Sequence, residues 1–308
     1  MEHLSQPFVA FDYGNYKGLR RANIALTAVK DLIDNLSQIT TDDKCLRIDQ
    51  TKTRYSYFCR VAADGSRSYL KKILPKSKFR SFFVEPLLGT LATVAAFNSL
   101  ALEKAEIKTP SVQILFEEKT TWGSGTSYIV TKEAKPFVFI EQFIHDGLKG
   151  KNQKVRERSK RIRQWASFVA NLHSHGCYHF DLSNYNVMVR ADESSDDLEI
   201  ELVDLDMLVV AKNKDSFVGR LMTFVELVIL NAMFKNKDFR RIDKLRFLQA
   251  YWGKTEFRRK FSQQMTKSLF NLGELGRNKL FRRFSFALSK LFQVTRFLEF
   301  PQLNGATQ

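Results

Sequence analysis

The stretch that most constrains this chain runs from Leu172 to Asp206. Within it, His179-Phe180-Asp181 is followed five residues later by Asn186, and Asp204 stands eighteen residues beyond Asn186. The apolar run Val187-Met188-Val189 and the alternating run Leu198 to Val203 flank an acidic loop, a pattern that predicts a hairpin. Its far strand would bring Asp204 back beside Asn186. A carboxylate, an amide and a second carboxylate in this order suit phosphoryl transfer from MgATP. One carboxylate accepts the proton of the attacking hydroxyl, and the other two groups hold metal ions. Asp181 is the candidate base, and Asn186 and Asp204 are the candidate Mg²⁺ ligands.

The pattern is the H-x-D-L-x-x-x-N signature of the kinase fold, followed by a metal motif of the D-x-x type. Its departures point away from peptide kinases. Ser183 stands where serine/threonine protein kinases carry a phosphate-contacting lysine, Asp204-Leu205-Asp206 replaces D-F-G, and no A-P-E sequence follows. The wider phrase LHSHGCYHFDLSNYNVMV, from Leu172 to Val189, with LVDLD at 202–206, resembles the bacterial lipopolysaccharide kinases, the Kdo/heptose kinase family. The resemblance extends over roughly residues 45 to 260 and is specific over 172–206. It implies an α+β fold of the two-lobed protein-kinase-like type, with an antiparallel-sheet N-lobe and a mostly helical C-lobe. It also implies an enzyme that uses ATP and Mg²⁺ to phosphorylate a Kdo or heptose hydroxyl of the lipopolysaccharide inner core. The acceptor would be an anionic glycolipid, met by a cytoplasmic protein held peripherally at the inner membrane.

Other readings of the same residues are weaker. His173, His175 and His179 do not show the tight pairs of a zinc site, and the kinase phrase accounts for His173 and His179. A pseudokinase would not need all three polar positions. An atypical protein kinase of the RIO type, its basic tail on RNA or a partner, is the alternative enzyme. No RNA-recognition motif is present, so no nucleic-acid partner is expected.

Composition narrows the class further. The 308 residues are 44% hydrophobic and include 27 Phe, enough for a sizeable core. Cys45, Cys59 and Cys177 are scattered and odd in number, which argues for a reducing compartment. The N-terminal segment has an acid at Glu2 and no long apolar core, so no signal peptide is expected. Leu87–Leu102 and Leu221–Phe234 are apolar runs, but the first holds several polar residues and the second holds Glu226. Both fall short of a membrane span and predict buried helices. The charge of +16 is uneven: residues 235–296 carry 17 Lys and Arg against four acids, a balance of +13. Residues 149–163 add eight basic residues against Glu157. Such patches suit an anionic membrane or polyanionic substrate.

Along the chain, residues 1–44 read as an N-terminal helical extension, with Val29, Leu32, Ile33 and Leu36 at helical spacing. Residues 45–134 read as the N-lobe up to the hinge, and 135–308 as the C-lobe. Strands are predicted at Cys45–Asp49, Arg54–Ala62 and Arg67–Leu74. The link at 51–54, where a kinase places a Gly-rich loop, has no glycine. On the third strand Lys71 aligns with the phosphate-binding lysine of V-A-I-K; alternation does not separate it from Lys72. A helix is predicted from Pro86 through Ala105. Its only acids, Glu85 and Glu103, lie at its ends, so no glutamate stands at the depth where a kinase lysine is paired. Strands follow at Val112–Phe116 and Ser127–Val130, with a turn at Trp122–Gly125. Thr131-Lys132-Glu133-Ala134 resembles the strand-to-hinge passage of the lipopolysaccharide kinases, which implies adenine contacts at Thr131 and Glu133. Phe137–Ile144 reads as a short helix. Ile162, Trp165, Ala166, Val169 and Leu172 mark the buried face of a longer one. Phe281, Phe284, Leu288 and Leu291 form a stripe beside basic residues, which suits either an outer C-lobe helix or a helix on an anionic membrane.

Overall fold

The computed structural model describes residues 8–41, 46–50, 54–60, 67–74, 90–120, 125–132, 138–140, 143, 154–182, 186–191, 198–211, 213–233, 240–253 and 287. They belong to two compact units, one running to Lys135 and the next beginning at Pro136.

The first unit contains β1 (Phe8–Tyr13), β2 (Tyr16–Arg21), β3 (Leu46–Gln50), β4 (Arg54–Arg60), β5 (Arg67–Ile73), β6 (Val112–Glu118) and β7 (Ser127–Lys132). They form one antiparallel sheet in the order β1-β2-β6-β7-β5-β4-β3. The helices are α1 (Leu26–Asp34), α2 (Leu36–Thr41) and α3 (Leu91–Lys104). One difference from expectation lies at the N-terminus. Residues 8–21 are not helical but add a hairpin to the sheet, paired from Phe8↔Arg21 to Tyr13↔Tyr16. The turn is Gly14-Asn15, a hairpin pair, and Gly14 sits at φ 57, a region glycine enters without a Cβ penalty.

The two faces of this sheet are covered differently. Val29, Leu32 and Ile33 of α1 pack onto Leu70, Ile114, Phe116, Tyr128 and Val130. The Phe116 and Tyr128 rings stack at 4.7 Å. On the opposite face Arg21 of β2 is buried and meets Glu103 of α3. That helix starts later than expected. Thr90 is extended (φ −71, ψ 166), and its hydroxyl accepts the Thr93 amide at 3.3 Å. This is an N-cap, so the first helical residue is Leu91. Pro86 and Glu85 lie outside the described residues.

The second unit is mostly helical. It contains α4 (Lys154–Ser174), α5 (Phe217–Met233), α6 (Arg241–Trp252) and short strands β8 (Val138–Phe139), β9 (Cys177–Tyr178), β10 (Val187–Ala191), β11 (Leu198–Leu202) and β12 (Val209–Val210). The strands form two small antiparallel sheets, β11-β10-β8 and β12-β9. Where a helix was expected at Phe137–Ile144, Val138 and Phe139 instead pair with Val189 and Met188, and helix begins at Ile140. A short apolar run has no intrinsic period to prefer helix over strand, and here the free edge of β10 captures it.

The five apolar positions predicted on α4 are all buried. This helix is joined to α6 by an ion pair, Arg158 Nη2 to Asp243 Oδ2 at 2.7 Å, with Nε at 3.0 Å from the same oxygen. Both side chains are buried, so Arg158 of the basic run 149–163 is an internal tie rather than a surface charge. The two apolar runs tested as membrane spans are α3 and α5, which bury Leu102 and Met222 completely. Among the described residues no helix is long and apolar enough to cross a membrane.

Candidate active site

The hairpin predicted from the motif forms as β10 and β11, in register from Val187↔Leu202 to Ala191↔Leu198. It closes with the Val203 amide donating to the Asn186 carbonyl at 3.0 Å, which sets Asp204 next to Asn186 along the ladder. The Asn186 side-chain nitrogen donates to the Asp181 carbonyl at 2.8 Å and to Asp181 Oδ2 at 3.1 Å. Both partners are acceptors, so the amide nitrogen must face Asp181 and Oδ1 is the opposite end. The structure thus brings Asp181, Asn186 and the start of the metal motif together.

Two non-glycine residues here have left-handed backbone: Phe180 at φ 55 and Asp204 at φ 56. Such a conformation costs of order 1–3 kcal/mol and persists only when the surroundings over-determine it. For Phe180 the surroundings are visible. Its ring is buried among Tyr178, Val209, Met222, Val225 and Ile229. Its amide donates to Glu226 Oε1 at 3.1 Å, and the His179 amide donates to the same oxygen at 2.8 Å. The His179 ring donates from Nε2 to the Val203 carbonyl at 3.1 Å, tying the catalytic loop to the strand that carries Asp204.

Glu226 is the residue that sequence reasoning missed. It is completely buried in α5 and also meets His173 Nε2 at 2.7 Å. The available signal was a lone carboxylate inside an apolar helix, a group that cannot stay charged without several donors. The three histidines serve different ends. His173 lies between Glu226 and the Tyr251 hydroxyl, 2.6 Å from Nδ1. His175 is exposed and bonds the Asn171 carbonyl. His179 bonds the chain at Val203. Among the described residues no group of three His, Cys, Asp or Glu converges as a metal site. Gly176, at φ 70, lets the chain pass where a Cβ would stand 2.4 Å from the Ala211 carbonyl oxygen.

In the sheet unit, Lys71 and Thr131 lie on one face. Cross-strand partners are Tyr69↔Thr131, Lys71↔Ile129 and Lys72↔Tyr128. Strand alternation therefore sets Lys71, Ile129 and Thr131 together, opposite Leu70, Tyr128 and Lys72. Lys72 stands over the Tyr128 ring at 5.8 Å, on the face covered by α1. Glu133 lies outside the described residues. Glu103, the sole acid of α3, pairs with Arg21 at 2.6 Å. Asp206 is buried at the short 3-10 turn Leu205–Met207, whereas Asp204 keeps part of its surface.

An antiparallel sheet carrying the lysine, and a helical unit carrying H-x-D, asparagine and a returned aspartate, define a phosphotransferase of protein-kinase-like fold. The chain belongs to the lipopolysaccharide kinase (Kdo/WaaP) family, whose sequence model matches residues 37–251. Family membership makes it an ATP-dependent phosphotransferase acting on a sugar hydroxyl, and it sets aside the RIO-like and pseudokinase readings. No curated protein matches it in sequence. Among solved structures it is similar to WaaP in complex with acyl carrier protein, at a TM-score of 0.57 and 19% identity, covering 80% of this chain and 93% of that one. The MAP kinase LmaMPK10 from Leishmania major aligns at a TM-score of 0.39 and 13% identity, over 90% of this chain and 87% of that one.

Proposed function

We propose that this protein transfers the γ-phosphoryl group of ATP to a Kdo or heptose hydroxyl of the lipopolysaccharide inner core, with Asp181 as general base. The observation that carries this reading is the bond from Asn186 to Asp181, beside the returned Asp204. Asn186 spends its amide nitrogen on Asp181, so its oxygen is the end available to a cation. Asp204 supplies a second oxygen. A hard-oxygen pair of this kind fits Mg²⁺, which is held by one or two carboxylates together with substrate phosphates. Bound there, the ion would neutralise phosphate charge as the phosphoryl group moves. Asp181 would accept the proton of the attacking sugar hydroxyl, and its bond to Asn186 would hold one carboxylate oxygen so that the other faces the acceptor. Lys71 is favoured over Lys72 for the phosphates because it shares a face with Thr131, while Lys72 lies over Tyr128. Thr131 and Glu133 would line the adenine side.

The test is transfer from labelled ATP to deacylated lipopolysaccharide core. Asp181→Asn should keep nucleotide affinity and lower turnover by roughly 10²–10⁴-fold, the range of general-base assistance. Near-normal transfer by that variant would remove Asp181 from the mechanism. Mass analysis of the product decides between Kdo and heptose. Asp204→Ala should end productive use of MgATP, whereas Asp206→Ala should act first on stability because Asp206 is buried.

The acceptor is anchored in lipid, and the basic balance of 235–296 suits peripheral binding at the cytoplasmic face of the inner membrane. Each basic side chain near an anionic surface contributes about 1 kcal/mol. Sedimentation with anionic vesicles, reversed by salt, is the expected result; binding indifferent to lipid charge would refute it. The complex of WaaP with acyl carrier protein makes such a carrier protein a candidate partner, testable by co-purification.

A further inference from the structure

Glu226 is the only carboxylate of α5 and has no exposed surface. A carboxylate can only accept hydrogen bonds, so each group that meets it must donate. The amides of His179 and Phe180 donate to Oε1. His173 meets Oε2 through Nε2, which must therefore carry the ring proton. The other ring nitrogen stands 2.6 Å from the Tyr251 hydroxyl. Among the described residues that hydroxyl has no other hydrogen-bond partner, and with a single ring proton on Nε2 it is the donor to Nδ1.

We propose that Tyr251, His173 and Glu226 form a one-way chain of donors that positions the catalytic loop. Tyr251 O–H donates to His173 Nδ1, His173 Nε2–H donates to Glu226 Oε2, and Glu226 Oε1 holds the amide of Phe180, the residue before Asp181. The chain links the last turn of α6, the end of α4 and the middle of α5 to a backbone held at φ 55. That conformation is unfavourable for a residue with a Cβ, and the held amide is one of the two supports, with the buried ring, that maintain it. Burial, then the charges of Glu226 and Tyr178, raise the ionisation of Tyr251 above its ordinary value, so the hydroxyl keeps the proton it donates. The three are positioning residues; none is assigned a contact with substrate. The inference rests on the reading of Asp181 as the base.

The proton direction gives a test that a packing role would not pass. Full-length protein labelled with ¹⁵N-histidine should show His173 as the Nε2–H tautomer. In Glu226→Gln the amide oxygen can still accept both backbone amides, but its NH₂ faces Nε2. The ring must then move its proton to Nδ1 and donate to Tyr251, which turns from donor to acceptor. In Tyr251→Phe the ring proton should stay on Nε2, with Nδ1 merely losing a donor. The double variant leaves Nδ1–H buried with no acceptor, and an unmatched buried donor is the costly case.

Each single variant should lower kcat by less than about tenfold. The double should fall below their product by a further tenfold or so, the usual size of coupling between groups in one network. KM for ATP should change little, because the chain ends on the acceptor-side loop. A wild-type His173 carrying its proton on Nδ1, an unchanged tautomer in Glu226→Gln, or single effects that simply multiply would overturn the proposal. Should Glu226→Gln not fold, the ring spectra of wild type and Tyr251→Phe still decide. Asp181→Asn separates this inference from the reading beneath it. If that variant transfers phosphate normally the base assignment fails, while its His173 spectrum still reports whether the chain exists.

Discussion

Helices α3 and α5 each carry one acid, and the two acids are matched in different ways. Glu103 lies at the C-terminal end of α3, keeps 21% of its side-chain surface and meets the guanidinium of Arg21. Arg21 in turn donates from Nε to the Val112 carbonyl. The result ties a helix to β2 and β6, and among the described residues the Glu103 carboxylate holds no backbone amide. Glu226 has no guanidinium or ammonium partner among the described residues. Its donors are two consecutive backbone amides and an imidazole, and the backbone it holds is left-handed. A carboxylate matched by a cation fastens elements together. A carboxylate matched by main-chain amides sets a conformation, and the one set here directly precedes Asp181.

Removing the two acids in turn should have unequal consequences. Glu226→Leu strands two buried amides and the His173 ring N–H, each a group whose desolvation costs about 1–3 kcal/mol when unmatched. Turnover should fall by more than about 10²-fold as Phe180 relaxes. Glu103→Gln should keep turnover within a few-fold, since only the attachment of α3 is weakened. Steady-state transfer to deacylated core, beside a urea melt for each variant, checks both. Equal losses of activity would mean that Glu103 also shapes the site.

Ion pairs give the next largest effect, on stability. Arg158 and Asp243 are both buried, and removing one partner of such a pair costs about 3–5 kcal/mol. Arg158→Ala should reach that range, because among the described residues Asp243 would keep only the Arg240 amide and the more exposed Arg246. Arg21→Ala should cost less, about 2–3 kcal/mol, as Glu103 retains access to water. The double change Arg21→Met with Glu103→Leu should recover most of the loss, because an apolar pair of similar volume replaces a buried ion pair at little cost. Failure of that rescue would assign the pair a role beyond fastening.

The same contrast explains what could be read in the chain beforehand. The hairpin from Val187 to Val203 was legible because its alternation and acidic loop are local, and the roles proposed for Asp181, Asn186 and Asp204 follow from residue type, order and spacing in the kinase signature. Strands β3, β4 and β5 were legible for the same reason. Glu226 was visible only as a flaw in an apolar run, since its partners are 46, 47 and 53 positions away. Glu103 stands out as an acid at the end of an apolar run, but Arg21 lies 82 residues earlier and no local pattern connects the two. The hairpin β1–β2 went unread although Gly14-Asn15 marks it, because the helical spacing that follows governed the reading of residues 1–44. Strand β8 is two residues long, and its conformation belongs to its partner β10.

The smallest expected effect concerns the phenols of Tyr251 and Tyr128, and its pH dependence is confined to alkaline solution. Burial, followed by the charge of Glu226, raises Tyr251 above its ordinary value of 10.0. Burial and Glu118 raise Tyr128 likewise in the sheet unit. A phenol whose folded value lies above its unfolded one contributes stability that is complete below the unfolded value. That stability is lost as pH rises through the folded value, because the unfolded chain releases its proton first. Each such phenol steepens the alkaline decline by at most about 1.4 kcal/mol per pH unit, beginning only above pH 10. Tyr251→Phe should therefore cost about 1 kcal/mol near neutral pH, the worth of one hydrogen bond. Above pH 10 it should flatten the decline by one proton. Tyr128→Phe should flatten it equally without touching the His173 tautomer, which separates the two units again. Urea midpoints measured from neutral to strongly alkaline pH, with phenolate absorbance followed in parallel, give both slopes. A folded protein in which Tyr251 ionises at its ordinary value would show that its hydroxyl is open to water. It would then be free to turn away from His173.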